Sequence, residues 1–346
     1  MRDNLSRRAL LASISLLAAV APPPVELLAA TPPRPFLVTG SSSGIGRAAA
    51  RQLTGDSRFV LCAARSEAVA QEVAAAQGGQ SLSGFGLALG GVGLEQSNLA
   101  SVRTYIEQLD RDLSGGVEGA LLCAGVEALP LRRTPQEFES TFAINVLSHF
   151  VISVELAARA VDRRCPLRLV SVTSSAAFDS RLGDGDALDL NWERRAYDAR
   201  RAYVDSKACN VLLADELQRR VGGSSIASCS ADPGPTASML LRNALPQRAA
   251  QRATMSDEQL ARQARQLGLR TPAQAARGLA WCLTSAECVP GALYLGAAAP
   301  SDAPPPLPRW EAPLPWRNEA VADAVWRDCA RSAEPWLSPL ARKFVA

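Results

Sequence analysis

The run Thr39-Gly40-Ser41-Ser42-Ser43-Gly44-Ile45-Gly46 constrains this chain more than any other stretch. It follows a short β-type segment, PFLVT at 35–39, and opens a helical stretch at 44–53. Glycines at 40, 44 and 46 let the backbone turn tightly and let a bulky anion approach the main chain. The helix start then offers unpaired N–H groups and the positive end of its dipole. Strand, glycine turn and helix in that order read as a phosphate-binding unit. Gly40, Ser42, Ser43, Gly44, Ile45 and Gly46 are the candidate contacts.

The rest of the chain repeats the alternation. Strands are expected at 58–63, 119–123, 167–173, 225–230 and 291–295, and helices at 66–75, 99–113, 135–160, 202–221 and 271–283. This pattern predicts an α/β fold: a doubly wound parallel sheet, Rossmann-type, in a single domain. With 346 residues, 47% apolar and 21% charged, the chain can bury such a core, and wholly disordered or fibrous classes are excluded. A net charge of +3 without a basic stripe argues against nucleic acid as a partner. No stretch reaches the roughly 18–20 apolar residues that span a bilayer.

The two ends differ from this body. Residues 1–30 carry Arg2, Arg7 and Arg8 before a 13-residue apolar run at 9–21, which reads as a targeting or signal peptide. Ser6-Arg7-Arg8-Ala9-Leu10-Leu11 resembles a twin-arginine leader, also found in thylakoid-lumen targeting. An organelle, the chloroplast, is the expected compartment; export or a membrane anchor is the alternative. Residues 31–300 form the expected nucleotide-binding domain. Residues 297–315 hold seven prolines and read as a stiff linker. The 301–346 segment ends in a helix starting near Asn318, with Val321, Val325 and Cys329 on one face.

No CxxC occurs among the eight cysteines, and the single histidine, His149, is not near a cysteine pair, so no metal site is expected. Cys62, Cys123 and Cys229 lie in apolar, strand-like runs and read as reduced, buried thiols.

The chain has 35 Arg but only two Lys, Lys207 and Lys343. Lys207 follows Tyr203 by four residues, so one helix face presents both. A phenol with an ordinary pKa near 10 is a poor acid–base catalyst at pH 7, and a neighbouring ammonium, joined by the positive ring of a bound cofactor, is expected to lower it. A compact ammonium also fits where a guanidinium does not. Ser174, flanked by Thr173 and Ser175, stands at the carboxyl end of the 167–173 strand, where ligands bind in open α/β sheets. Asn145 lies within the helical run FESTFAINVLSHF, where it is either a tolerated polar residue or the holder of a relay water; His149 follows on the same face and reads as a packing residue.

Together these motifs resemble the short-chain dehydrogenase/reductase family over about residues 35–295. The resemblance implies a tetrad of Asn145, Ser174, Tyr203 and Lys207, with Tyr203 exchanging a proton while NADP(H) exchanges hydride. It places Glu95 near the adenine, Ala124 and Gly125 along the cofactor, and Pro233, Gly234 and Ser238 beside the nicotinamide. Arg65 ends the second strand where an acidic residue would bind the ribose of NAD; an Arg pairs instead with a 2′-phosphate, hence NADP. One departure is Cys123 in Leu122-Cys123-Ala124-Gly125, where the family has Asn; this removes a hydrogen-bonding side chain that stiffens the sheet.

Two branches of the family compete. Asp189-Leu190-Asn191-Trp192-Glu193-Arg194-Arg195-Ala196-Tyr197-Asp198 resembles the segment before the catalytic Tyr of retinol-dehydrogenase-like enzymes, which act on lipophilic alcohols and carbonyls. Residues 202–210, with Cys209, resemble light-dependent protochlorophyllide reductase. A small lipophilic substrate is expected, with residues 239–266 as a lid. Peripheral membrane association and a homo-oligomer through the 135–160 and 202–221 helices are further expectations. The non-catalytic alternative is an NADP(H)-bound sensor or regulator of a membrane complex.

Overall fold

A computed structural model describes residues 34–56, 58–76, 93–183, 188–237, 255–296 and 308–346. The leader, Ser238 and most of the expected lid lie outside these residues. Six parallel strands form one sheet: β1 (Phe36–Thr39), β2 (Val60–Ala63), β3 (Gly119–Leu122), β4 (Leu167–Val172), β5 (Ile226–Asp232) and β6 (Leu293–Leu295). Their order is β2-β1-β3-β4-β5-β6, so the direction of progression reverses at β1. A crevice at the carboxyl ends of β1 and β3 follows from that reversal.

Alternate side chains on each strand enter opposite cores. Leu37 faces the layer of α3 (Leu99–Asp112), α4 (Ser140–Arg163) and α5 (Ala199–Arg220). Its neighbours Phe36 and Val38 face the layer of α1 (Gly44–Gly55) and α7 (Pro272–Thr284). The remaining helices are α2 (Glu67–Ala76), α6 (Asp257–Gln266), α8 (Glu319–Ala333) and α9 (Pro339–Val345).

The expected elements are present, with boundary corrections. Helix α4 starts at Ser140, not 135, because Glu139 caps it by accepting the Thr141 and Phe142 N–H groups at 2.8 Å each. The preceding residues form a turn closed by an Arg133–Glu139 bridge, with Glu137 at φ 63°. Helix α5 starts at Ala199, three residues early, because Asp198 accepts the Arg201 N–H at 2.9 Å. By length and mean hydropathy (1.5), Ser140–Arg163 could cross a bilayer, which the sequence reading did not expect of any stretch. Yet 89% of its apolar window is buried inside the fold.

The proline-rich segment is more than a linker. Pro308 accepts the Leu295 N–H at 2.9 Å and Trp310 donates to Leu293 O at 2.7 Å, covering the β6 edge. Proline suits this place, since only its carbonyl is used. Helices α8 and α9 pack on the body: Trp326 meets Phe150 edge-on at 5.1 Å, and Cys209 and Cys329 are fully buried in the same core. Helix α9 is an element that the sequence reading missed.

Candidate active site

The glycine turn closes over β1. Gly40 and Gly44 take positive φ values of 68° and 55°. A Cβ on Gly46 would lie 2.3 Å from Gly40 O, and one on Gly40 would lie 2.8 Å from Ala124 Cα. Only glycine lets β1, α1 and the end of β3 approach so closely. Ser43 sits at the N-cap of α1 but makes no side-chain capping bond, so the first-turn N–H groups point outward unspent by it. Ser42 and Ser43 are exposed there, and Ile45 packs partly against the α1 side of the core.

Arg65 is exposed just beyond β2, at this same end of the sheet. Gly93 lies against its backbone, and Leu94 N donates to Ala64 O at 2.8 Å. Glu95 therefore also sits at this end, although one carboxylate oxygen accepts from the Ser97 N–H (3.1 Å) and hydroxyl (2.7 Å).

Two side chains tie down the end of β3 beside Cys123. Thr39 Oγ1 accepts the N–H groups of Cys123 (2.9 Å) and Ala124 (3.1 Å), tying β1 to β3. Asn145 Oδ1 accepts from Val126 N at 2.8 Å, while its Nδ2 donates to Val126 O (2.9 Å) and Ser206 Oγ (3.0 Å). The Asn145 side chain is thus a clamp, and a relay water would have to use its main-chain carbonyl. It stands in a π-helical turn, Ala143–Leu147, of the kind that recurs at functional sites. The buried imidazole of His149 touches Thr39 Oγ1 at 3.2 Å, in keeping with a packing role.

Tyr203 and Lys207 are both 4% exposed. Lys207 Nζ donates to Val172 O at 3.0 Å and lies 5.7 Å from the Tyr203 ring centre. Thr173 Oγ1 donates to Lys207 O at 2.7 Å, which leaves Thr173 a structural neighbour. Ser174 hydrogen-bonds to the Tyr203 phenol and caps a 3-10 turn, Ser175–Asp179, accepting Ala176 N at 3.2 Å. A Cβ on Gly125 would lie 3.5 Å from both Lys207 Nζ and Asn145 Oδ1, so the four tetrad residues and Gly125 form one cluster. Pro233 and Gly234 turn away from β5 with Gly234 at φ 77°.

Two carboxylates escaped the sequence reading. Glu127 and Asp232 both act electrostatically on Tyr203 and Lys207. Burial pushes each carboxyl up, opposed for Glu127 by Arg200 and Lys207. Asp232 accepts Gly234 N at 3.0 Å. The signal for both was adjacency: Glu127 follows Gly125 by two residues, and Asp232 directly precedes Pro233. The loop bearing Glu127 is fixed at both ends, by Asn145 on Val126 and by Tyr197, whose hydroxyl donates to Leu129 O at 2.9 Å; between them Ala128 sits at φ 53°.

The protein's own groups set the starting charge balance. Burial, with Glu127 adding, holds the Tyr203 phenol above its ordinary value. Lys207 is lowered to about 8 by burial, against the pull of Cys123, Asp232 and Glu127. At pH 7 the pair is therefore a neutral phenol beside an ammonium.

The sequence comparisons agree with this geometry. A family model described as short chain dehydrogenase matches residues 35–184. Human retinol dehydrogenase 13 is 29% identical over 210 residues, covering 60% of this chain and 60% of that protein. Mouse polyprenol dehydrogenase is 34% identical over 234 residues, covering 64% and 65%. The chain thus spans less than two thirds of the length of these curated relatives. A solved structure of a short chain dehydrogenase/reductase family protein superposes with a TM-score of 0.53 at 20% identity, over 77% of this chain and 96% of the other. With its six-stranded parallel sheet and glycine turn, the chain has the Rossmann-type α/β fold, and over residues 35–184 it matches the short chain dehydrogenase model and is similar to retinol dehydrogenases.

Proposed function

We propose that this protein is an NADP(H)-dependent oxidoreductase that interconverts a lipophilic alcohol and its carbonyl, with Tyr203 exchanging the proton. The observation that carries the reading is the buried Tyr203–Lys207 pair, with Ser174 on the phenol, at the carboxyl end of the sheet beside the glycine turn.

The residues present suit a nicotinamide dinucleotide. The tight glycine turn between β1 and α1, with Gly40 and Gly44 at positive φ, and the uncapped first turn of α1 suit a pyrophosphate. Arg65 would pair with a 2′-phosphate, and Lys207 with ribose hydroxyls. When bound, the nicotinamide supplies or accepts hydride. Ser174 holds the reacting oxygen, Tyr203 protonates it, and the Lys207 ammonium favours the phenolate left behind.

Lipophilic substrates are supported by the names of the relatives, which include retinol and polyprenol dehydrogenases. Thr236 and Arg270 form a parallel bridge, with Ala237 N donating to Arg270 O at 2.9 Å. The segment between them therefore leaves and returns beside Pro233–Gly234, as a lid would; its described part includes α6.

The test follows NADPH oxidation in the dark with lipophilic aldehydes and ketones, Tyr203→Phe in parallel. Turnover that falls roughly 10²–10⁴-fold in the variant, with NADPH binding retained, supports the reading. Equal rates in both proteins overturn it. NADPH binding without turnover would favour a sensor, and turnover only under illumination with protochlorophyllide would favour the photoenzyme.

A further inference from the structure

Three cysteines meet between β5 and α7, in the core layer of α1 and α7. Cys229 lies on β5, Cys282 on α7 and Cys288 in the loop that follows. All are buried, at 2%, 0% and 2% exposure, and the Cys229 and Cys288 sulfurs are 3.6 Å apart. This approach is built in. Gly291 N donates to Ser228 O (2.7 Å) and Ser230 N to Ala292 O (3.1 Å), which ties the loop alongside β5.

The surroundings single out one sulfur. Cys229 and Cys282 hydrogen-bond to Cys288, and the Arg168 guanidinium acts on it as a positive charge. Arg168 also donates to Cys288 O at 3.2 Å. Tyr294 Oη accepts the Val289 N–H at 2.7 Å, which leaves its proton for the Cys288 sulfur. Donated hydrogen bonds and a cation stabilise a thiolate, the reactive form of cysteine. Glu287 and Val289 on either side are exposed, so a small opening of this loop admits a small oxidant.

We propose that Cys288 and Cys229 are a peroxide-oxidisable dithiol pair, with Cys288 the attacking thiolate and Cys229 the resolving thiol. Cys288 attacks a hydroperoxide; the O–O bond breaks, an S–O bond forms, and the distal oxygen leaves as hydroxide or alkoxide. The Cys229 sulfur then displaces the hydroxyl from Cys288 and loses its proton. The balance is two thiols and one hydroperoxide giving one disulfide, one water and one further water or alcohol. The sulfurs close from 3.6 Å to about 2 Å. Cys282 is the third thiol, in reach for exchange.

The reduced full chain is treated with graded hydrogen peroxide, its remaining thiols are alkylated after denaturation, and the peptides are mapped by mass spectrometry. The expected result is loss of two of the eight thiols, a Cys229–Cys288 crosslink reversed by dithiothreitol, and the same crosslink in Cys282→Ala. In Cys229→Ala, dimedone should trap a sulfenic acid on Cys288. The proposal is overturned if Cys62 or Cys165 oxidises first while the trio stays reduced, or if the bridge forms through Cys282. Should Cys229→Ala not fold, the wild-type peptide map alone decides between these outcomes.

Discussion

Asn145 and Val126 exchange two hydrogen bonds across the floor of the site, Oδ1 to N at 2.8 Å and Nδ2 to O at 2.9 Å. One side chain thereby takes the place of a strand partner beyond the end of β3, where the parallel ladder has stopped. It sets the loop that carries Gly125 and Glu127 against Lys207. Replacement by alanine would leave the Val126 N–H and carbonyl without these partners in a buried place, where Asn145 is 0% and Val126 9% exposed. Each buried orphan costs about 1–3 kcal/mol, so with two of them Asn145→Ala should lower stability by about 2–6 kcal/mol. Urea unfolding measures this, and a change below about 0.5 kcal/mol would show that the clamp is not structural.

Lys207 should set the alkaline limit of carbonyl reduction. Its ordinary value is 10.5 and burial lowers it to about 8. The ammonium is therefore lost as pH rises through about 8, while the Tyr203 phenol, held above its own ordinary value, keeps its proton. The value of kcat/KM should fall about tenfold per pH unit above this point. Stability moves the other way: the unfolded lysine binds its proton up to 10.5, so unfolding becomes harder between about pH 8 and 10.5. A rate profile flat to pH 9.5 would remove Lys207 from this role.

Arg65 should decide between the two nicotinamide dinucleotides. Its exposed side chain stands at the end of β2, and a charge-assisted bond to a 2′-phosphate is worth about 1.5–3 kcal/mol. Arg65→Ala should raise the KM for NADPH about 10–100-fold and leave that for NADH within about twofold. Equal losses with both cofactors would point to a structural effect instead.

How much of this was legible beforehand depends on distance along the chain. The glycine turn and the Tyr203–Lys207 pair are local patterns, within eight and five residues, and both stand where they were read. The bonds by which Thr39 and Asn145 hold the end of β3 and the loop after it were not legible, because their partners lie 84 and 19 residues away. The upward push on the Tyr203 phenol was not legible for a similar reason: burial depends on the whole fold, and Glu127 reaches the phenol only through the folded loop. Glu139 displaced the start of α4 because a capping carboxylate competes with apolar periodicity, which alone extended the helix to 135.

His149 should make the protein acid-sensitive. Burial lowers it from 6.5 to about 3, with Lys207 adding and the Asn145 backbone opposing. The unfolded chain takes up this proton below about 6.5 and the folded chain does not. Stability from this group is therefore lost as pH falls from 6.5 towards 3, by at most about 1.4 kcal/mol per unit. His149→Gln loses packing at pH 7 but has no proton to take up. The stability gap between it and the wild type should narrow on going from pH 7 to pH 4 in paired urea melts, and a constant gap would refute the assignment.

Glu155 should hold the carboxyl end of the chain. At 3% exposure it accepts the Ser338 N–H at 2.6 Å and hydroxyl at 2.8 Å, and pairs with Arg159 on its own helix. Arg159 in turn meets Asp110 of α3 at 3.1 Å, so a charged chain runs from α3 through α4 to the start of α9. Glu155→Gln keeps the shape and removes the charge. The weakened bonds to Ser338 should cost about 1.5–3 kcal/mol, felt first by α9 because Ser338 is its N-cap. Amide exchange across 338–346 should quicken about 10–100-fold while α5 keeps its protection. Equal acceleration in both helices would mean that Glu155 supports the whole core and not the tail.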